Sequence, residues 1–411
     1  MANFLTDDIV PLESLDQFEA VLVASQHSDK KFEQYFGTHG GSNRSDSIRI
    51  RKPNFEEIRT GWTADWKETD EDYVTLQFGE PIGVDKILTD KEMHMDLSSE
   101  GGQIIKSVMN RLAHKVDEMA IDEVMKAPNY VGTPGTNPTA LSTYLNGAAI
   151  LRDFCVPDDD ILCAISPQME VDAVDFLKGL FHDDESLKRQ FKTGRVKAAA
   201  GLKWAGTQQT KTHTTGSVAG SLLVNQPSSL ANGATSIALD DATATQTGVV
   251  KQNDIFAFDG MYAVNPITKQ STGRLMTVRA TADADSNGSG EVTLYFEPAL
   301  YFSGPKQNVS AQPTNNGVVY LFGSATAYAS TTTRQGLMWH KTALACAYQK
   351  LDNADGEGVK GRTVSDPKLG KSIRYTRRWD QDIAKWKLRW DIWPVFKLVR
   401  PEWALRIQSG S

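Results

Sequence analysis

The sequence is poor in cysteine and lacks long apolar runs. Only three of its 411 residues are cysteine, and Cys155, Cys163 and Cys346 each lie in an apolar stretch without the spacing of a metal site. This pattern is typical of reduced thiols in the core of a protein made in the cytosol. No segment approaches the ~20 apolar residues that span a bilayer, and the N-terminus shows no recognisable secretory signal. We therefore expect no membrane partner.

Catalytic and nucleotide-binding motifs are missing as well. The sequence contains no GxSxG, HExxH, Walker or GxGxxG pattern. His340 lies in a stretch predicted to be helical, GLMWHKTALACAYQKL, in which Cys346 and Tyr348 do not complete a catalytic triad. A structural histidine is therefore favoured. These absences indicate a protein that is not an enzyme and that has no catalytic residue, no cofactor and no metal.

Two acidic stretches have some of the features of metal sites. DADSNGSGE begins like a calcium loop, with Asp283, Asp285 and Asn287 at alternate positions, but Leu294 occupies the place of the closing glutamate. A polar hairpin turn is the better interpretation. The acidic run at 158–160 has no histidine or cysteine at a useful spacing, so a solvated turn is favoured there too.

Charge is unevenly distributed along the chain. Lysine and arginine number 44 against 51 aspartates and glutamates, a net charge of −7, which argues against a protein whose whole surface grips a polyanion. Residues 1–100 carry 21 acidic and 10 basic side chains, whereas residues 371–407 carry 4 and 10. Such asymmetry suggests complementary surfaces that meet between copies of the same chain.

The basic C-terminal region contains the stretch KWKLRWDIW, which has two interpretations. Cations and aromatic rings side by side form nucleic-acid platforms in some proteins. The alternation also fits a β-strand, whose side chains point to opposite faces in turn. In the strand interpretation one face is apolar structural core: Trp386, Leu388, Trp390 and Ile392. The wetter face carries Lys387, Arg389 and Asp391.

The first part of the chain predicts an arm, a hairpin and a long helix. Residues 1 to about 40 hold short apolar clusters among acids, which predict an arm with one or two short helices. SIRIRKP and YVTLQF alternate like strands, and a polar loop of about twenty residues joins them into an extended hairpin. Ser98 or Ser99 then begins the strongest helix, which runs for about 25 residues and ends by Pro128.

The rest of the chain changes between α/β and all-β character. Residues 139–195 predict a helix, the strand DILCAI and a further helix. From about Gly206 to Tyr328 the chain is rich in Thr, Ser, Gly, Asn and Val, with about six short apolar runs, which predicts a small β-barrel or sandwich. Helical signal returns at 336–351, and strands close the chain. An all-β module bracketed by α/β segments is typical of an inserted domain, so we predict an α+β fold.

Several of these segments together resemble one family. FGEP, followed by LTDKEMHMDLSSEGGQIIKSVMNRLAHKVDEMA, resembles the strand, linker and spine helix of the major capsid proteins of tailed phages. NDIFAFDGMYAVNPITKQSTGRLMTVRATADADSNGSGEVTLYF is similar to the inserted β-barrel of the P22-type coat proteins. WHKTAL and DIWPVFKLVRPEWALRI resemble their late helix and closing strands. The resemblance departs from the family at Pro394, where glycine is usual, and at 224–235, where a protruding loop is short.

The resemblance implies a Hong Kong 97-like capsid fold with an all-β insertion domain. The spine helix and the C-terminal strands would together form the peripheral domain. The implied parts are an N-terminal arm at 1–40, an E-loop hairpin at 41–80, the peripheral domain with its spine helix at 81–138, an axial domain at 139–205 and 327–375, the insertion domain at 206–326, and C-terminal strands of the peripheral domain at 376–411.

The same resemblance implies a structural function. The chain would be the major capsid protein that self-assembles, as hexamers and pentamers, into the icosahedral shell around the double-stranded DNA of a tailed phage. Implied partners are a scaffolding protein, a portal protein at one vertex and packaged DNA by non-specific contact, in a virion that starts as a procapsid in the host bacterial cytoplasm. E-loop side chains would lie across the adjacent subunit: Asn54, Phe55, Arg59, Trp62 and Trp66.

Two alternatives stay open at this point. One is a nucleic-acid-binding protein that uses the basic, Trp-rich C-terminal region. The other, an extracellular glycan-binding protein built on the β module, conflicts with the missing secretory signal. Particle size separates them from a capsid protein, because a shell protein sediments as capsomers or particles and a binding protein as a small oligomer.

Overall fold

Helical and alternating stretches of the sequence form four α-helices and 21 strands in the part of the chain that the structure, a computed structural model, describes. That part comprises residues 9–32, 47–52, 61–64, 66, 72–89, 102–177, 198–218, 221–226, 229–353, 356, 359–365 and 371–410. The helices are α1 (Ile9–Val21), α2 (Gly102–Val124), α3 (Leu141–Asp153) and α4 (Pro167–Leu177). The strands are β1 (Ser47–Arg51), β2 (Tyr73–Gln77), β3 (Ile82–Leu88), β4 (Asn129–Val131), β5 (Ile161–Ile165), β6 (Ala198–Ala199), β7 (Leu202–Gly206), β8 (Thr212–Thr214), β9 (Leu223–Val224), β10 (Ala234–Asp240), β11 (Ile255–Val264), β12 (Ser271–Ala280), β13 (Val292–Leu300), β14 (Val319–Leu321), β15 (Thr332–His340), β16 (Leu344–Tyr348), β17 (Val359–Ser365), β18 (Ser372–Asp380), β19 (Lys385–Ile392), β20 (Pro394–Leu398) and β21 (Ala404–Gln408).

Contacts within the chain divide it into two compact units. The first comprises residues 1–51, 73–123 and 344–399, and the second residues 52–72, 124–343 and 400–411. Both units contain segments that are far apart in sequence, so each is completed only by the C-terminal part of the chain. Together the helices and strands confirm the predicted α+β class.

The long helix α2 lies almost wholly in the first unit and packs through one apolar face. Ile105, Met109, Leu112 and Val116 recur at intervals of three or four residues and are buried. The helix predicted from this periodicity is confirmed, and its predicted start at 98–99 lies outside the described residues. Among the helices that the structure describes, none is long and apolar enough to cross a membrane.

Asp117 on α2 holds the segment that follows α1. Its carboxylate is buried and accepts hydrogen bonds from the backbone N–H of Val23 (2.7 Å) and of Ser25 (2.9 Å). Burial raises the pKa of Asp117, and these hydrogen bonds oppose that effect. Farther along, Asp29 exchanges two backbone hydrogen bonds with β16. The N-terminal segment is thereby fixed to a helix and to a strand of its own unit.

Three strands from the C-terminal part of the first unit and the earlier strand β3 form an antiparallel sheet in the order β17-β18-β19-β3. Strand β19 is therefore central, with β18 on one side and β3 on the other. The hairpin β1–β2 and the pair β16–β20 are the other described strands of this unit, and their apolar side chains share one core.

A mixed sheet organises the second unit. Its order is β4-β21-β15-β5-β7-β6, and β8 also pairs with β15. Strand β5 is buried along its whole length between β15 and β7, which explains why ILCAI is continuously apolar rather than alternating. Tyr144 and Leu151 of α3 and Met169 of α4 belong to the core beside this sheet.

The strands from β9 to β14 form an antiparallel barrel within the second unit. Their order is β14-β11-β12-β13-β10-β9. The two ends of this row meet, because Val319 N–H donates to the carbonyl of Leu222 and Val224 N–H donates to that of Gly317. The predicted all-β module is therefore confirmed. Aromatic side chains contribute to its interior: Phe256, Phe258 and Phe296.

The helix predicted for residues 336–351 is wrong. Strand β15 runs to His340, a single 3-10 turn follows at Lys341–Ala343, and β16 then begins. The apolar run GLMWH is buried because β15 lies between β21 and β5 in the middle of the mixed sheet. A short apolar run of this kind does not distinguish a buried strand from a buried helix by its periodicity.

The two units differ from the expected domain boundaries at two points. Strand β21 pairs with β15 and β4 in the mixed sheet, whereas the sequence grouped 376–411 as one set of strands. Residues 344–375, expected in the axial domain, fall in the first unit. The expected boundaries follow the order of segments along the chain, but long-range strand pairing decides where each segment packs.

Candidate subunit interface and its structural support

The hairpin β1–β2 carries the loop in which the interface residues are predicted. Its two strands pair residue by residue along their whole length. Ile50 and Leu76 are buried in a core that also contains Ala345 and Val395. The base of the hairpin is therefore anchored within its own chain.

Two of the five predicted interface residues are described, and both are exposed. Trp62 and Trp66 have relative exposures of 102% and 92%. A tryptophan removes ~150–250 Å² from water when another surface covers it. Asn54, Phe55 and Arg59 lie outside the described residues. The described part of the loop thus presents two large aromatic side chains that the chain itself leaves uncovered.

The second predicted set lies on the central strand β19. Leu388, Trp390 and Ile392 are buried, and Trp386 is half-buried. The indole N–H of Trp390 donates to Ser14 Oγ of α1 at 3.2 Å. Its ring centre lies 5.3 Å from that of Tyr375 on β18. This face of the strand belongs to the interior of the first unit, where it connects α1 with the sheet.

Asp391 departs from the predicted alternation. The sequence placed it on the wetter face with Lys387 and Arg389, yet it is buried. Arg374 donates to its Oδ2 through Nη2 (2.7 Å), and Arg389 donates to its Oδ1 through Nε (2.6 Å). The opposite residue on β3 is Gly83, and a Cβ there would stand only 2.6 Å from Asp391 Oδ1. The carboxylate therefore occupies space that a side chain on β3 would fill, and it joins β18 to β19.

Comparison with protein families decides what kind of protein this is. The family model described as P22 coat protein, gene protein 5, matches residues 9–407, which is nearly the whole chain. The chain belongs to this family. It is a phage major capsid protein with a structural function, located in the capsid of the virion, and the resemblance seen in the sequence is confirmed. No curated protein sequence matches it.

Three solved phage structures are similar to this coat protein at low sequence identity. One from Mycobacterium phage Che8 is 8% identical over 94% of this chain and 90% of that chain, with a TM-score of 0.47. The bacteriophage PhiM1 mature capsid is 10% identical over 89% and 83%, with a TM-score of 0.42. The CUS-3 coat protein I-domain is 18% identical over 29% of this chain and 100% of its own, with a TM-score of 0.17. With scores this low, the assignment rests on the family model.

Several basic side chains of the C-terminal strands are engaged within the coat protein. Besides the two arginines that bind the buried aspartate, Lys387 Nζ lies 2.5 Å from Asp380 Oδ2. The guanidinium of Arg377 stands 5.4 Å from the ring centre of Trp386, and the indole of Trp379 packs on Trp386 at 5.2 Å. A nucleic-acid platform needs cations and rings that are available to phosphates and bases. These contacts of the described residues do not favour the nucleic-acid alternative.

The acidic stretch DADSNGSGE forms turns of the barrel. Asp283 accepts the backbone N–H of Gln252 at 2.7 Å, and Asp285 accepts that of Gly248 at 2.6 Å. The first of these bonds lowers the pKa of Asp283. Within the described residues, no group of three or more His, Cys, Asp or Glu side chains is placed to hold a metal ion.

His340 makes contacts that are structural. Its Nδ1 lies 2.9 Å from Thr342 Oγ1, and its Nε2 lies 3.7 Å from Asp159. The ring meets Trp403 edge-on at 5.6 Å. Burial lowers the pKa of His340, although Asp159 opposes this effect, so the neutral imidazole is favoured at neutral pH.

Proposed function

We propose that many copies of this coat protein assemble, through hexamers and pentamers, into an icosahedral shell that encloses the double-stranded DNA of a tailed phage. The observation that carries the proposal is the match of the coat-protein family over residues 9–407. The two uncovered tryptophans support it, because they supply apolar surface for a neighbouring subunit.

In this proposal the hairpin is the E-loop, and it lies across the adjacent subunit. Trp62 and Trp66, together with Asn54, Phe55 and Arg59, form its contact surface. Covering two tryptophans stabilises an interface by at most about 8–12 kcal/mol, before the cost of ordering the loop is subtracted. Many such contacts act together in a shell, so each one needs only modest affinity, and misplaced subunits dissociate.

The remaining partners follow from the family resemblance. A scaffolding protein directs assembly of a procapsid in the bacterial cytoplasm, a portal protein occupies one vertex, and DNA contacts the shell without sequence specificity. The acidic N-terminal arm or the face of the spine helix is the proposed contact for a basic scaffolding protein. The named capsid domains are those predicted from the sequence, except that β21 belongs to the mixed sheet and residues 344–375 belong to the first unit.

Electron microscopy of the expressed protein, alone and together with its scaffolding protein, tests the proposal. The expected result is capsomers that convert into closed shells of uniform diameter. Sedimentation of the same samples supplies an independent measure of size. A small oligomer that binds DNA with a steep salt dependence would support the nucleic-acid alternative instead.

A further inference from the structure

The barrel is joined to the mixed sheet by a two-stranded connection. The chain leaves the sheet through β8 and returns through β15, and these strands pair with each other. Beyond them Thr215 N–H donates to the carbonyl of Thr331, and Ser330 N–H donates to that of Gly216. A lone pair of strands is a weak structure in water, so this connection by itself would not fix the direction of the barrel.

A buried carboxylate makes a second contact between the barrel and this connection. Asp254, at the start of β11, is fully buried. Its Oδ2 accepts the backbone N–H of Gly216 (3.0 Å) and of Lys251 (2.8 Å), and its Oδ1 lies 2.8 Å from Nε2 of His213 on β8. Asp254 of the barrel thus contacts His213 on β8 and also the backbone of Gly216, which follows β8 on the way into the barrel.

A buried arginine reaches the same turn from the sheet. Arg406 on β21 is fully buried, and its Nη2 donates to the carbonyl of Asn253 at 2.7 Å. Its Nη1 donates to Gln335 Oε1 on β15 at 3.2 Å, and its guanidinium lies 5.7 Å from the ring centre of Phe322. Within the described residues, its Nε has no hydrogen-bond partner.

These groups are costly to bury. Burial, with the nearby charge of Arg279, lowers the pKa of Arg406 to about 9, so the side chain still carries its charge at neutral pH. Apolar side chains that replace buried ionic groups often leave a fold as stable as before, or more stable. Removing only the guanidinium, however, takes a donor from the Asn253 carbonyl and from Gln335 Oε1, and this costs stability. A guanidinium and a carboxylate do require partners in defined directions, which apolar packing does not.

We propose that Arg406 and Asp254 are positioning residues that fix the direction of the barrel on the mixed sheet and so set the angle at which the barrel meets neighbouring subunits. This inference rests on the proposed function, because the angle matters only in a shell. It assigns to two buried polar residues a role in the geometry of assembly.

The test compares two arginine-to-methionine variants of the full chain. Arg406→Met removes the bonds from the sheet to the turn. Arg279→Met is the matched control, because Arg279 is also buried and donates to Asn253 Oδ1 at 3.0 Å, but it lies within the barrel. We expect Arg406→Met to fold with reduced stability and to lose uniform shell diameter in electron micrographs. Arg279→Met should form shells of wild-type diameter.

Uniform wild-type shells from Arg406→Met would overturn the proposal. If that variant aggregates, Arg406→Lys decides, because lysine keeps the charge but lacks the planar fork that reaches Asn253 and Gln335 together. It should fold and still assemble into shells of mixed diameter, and uniform shells would again overturn the proposal.

If the wild-type protein forms no shells, the proposed function fails. The positioning role is then tested by hydrogen exchange in the variant Asp254→Asn. The Gly216 and Lys251 amides, which donate to Asp254, should exchange faster in the variant than in the wild-type protein. Unchanged exchange would overturn the positioning role.

Discussion

Tryptophans occupy opposite environments in two regions of this coat protein. On β19 the indole of Trp390 is 1% exposed, bonded to α1 and packed on Tyr375. In the loop of the hairpin, Trp62 and Trp66 are almost fully exposed. Tryptophan therefore fills the interior beside β19, whereas in the loop of the hairpin it remains available to another molecule. The comparison separates side chains that fold the subunit from those proposed to join subunits.

The largest effect is expected from Trp390→Asp. Burying a tryptophan contributes about 4–6 kcal/mol, which is much of the stability of a typical domain, and the new carboxylate would have no partner in an apolar site. We expect an insoluble or unfolded protein, measured by solubility and circular dichroism. A soluble and folded variant would show that this face of β19 is not core.

A smaller loss of stability is expected from Arg374→Ala on β18, the strand that pairs with β19. Arg374 donates twice to Asp391, and its removal leaves a buried carboxylate with fewer partners, at a cost of about 1–3 kcal/mol. The control is Lys387→Ala, because Lys387 is half exposed and its partner Asp380 is only partly buried, and we expect no measurable loss there. Denaturant unfolding of both variants tests the difference, and equal losses would contradict the role given to Asp391.

The double change Trp62→Ala with Trp66→Ala should affect assembly but not folding. Both side chains are exposed, so the free energy of unfolding should stay within about 0.5 kcal/mol of the wild-type value. Shell yield, measured by sedimentation, should fall sharply. Ile267→Ala is the control, because Ile267 is an exposed apolar residue on a turn of the barrel and is not in the hairpin. Normal shell yield from the double variant would remove these tryptophans from the interface.

Hydrogen exchange should show the same contrast without any substitution. The amide of Trp62 should exchange rapidly in unassembled subunits and slowly in shells, because the residue is exposed in the subunit and a neighbouring subunit would cover it. Amides of β18 and β19 should be protected in both states, since strand pairing within the subunit already protects them. Slow exchange of the Trp62 amide in free subunits would mean that the loop packs on its own chain.

Local patterns in the sequence predicted those helices and strands whose buried residues recur at a regular spacing. Alternation in KWKLRWDIW predicted the strand and the inward face that contains Trp390. The spacing of Ile105 and Met109 predicted α2, and a change in composition predicted the barrel. In each case the pattern lies within the element itself, so no distant partner is needed to recognise it.

Features that depend on distant partners were not predictable in this way. The burial of Asp391 depends on Gly83, which stands opposite it on β3 only because of the strand register. The polar contacts of Arg406 depend on the path of a loop about 150 residues earlier in the chain. GLMWH was assigned to a helix because its burial comes from two neighbouring strands, which its own sequence does not reveal.

The contacts of the N-terminal segment have a consequence for synthesis on the ribosome. Ser14 of α1 bonds to Trp390, which lies 376 positions later in the chain. At ~5–20 residues per second, the ribosome needs about 20–75 s to reach that partner. Helix α1 therefore leaves the ribosome well before its partner Trp390 is synthesised. During that interval its apolar side chains are available to chaperones.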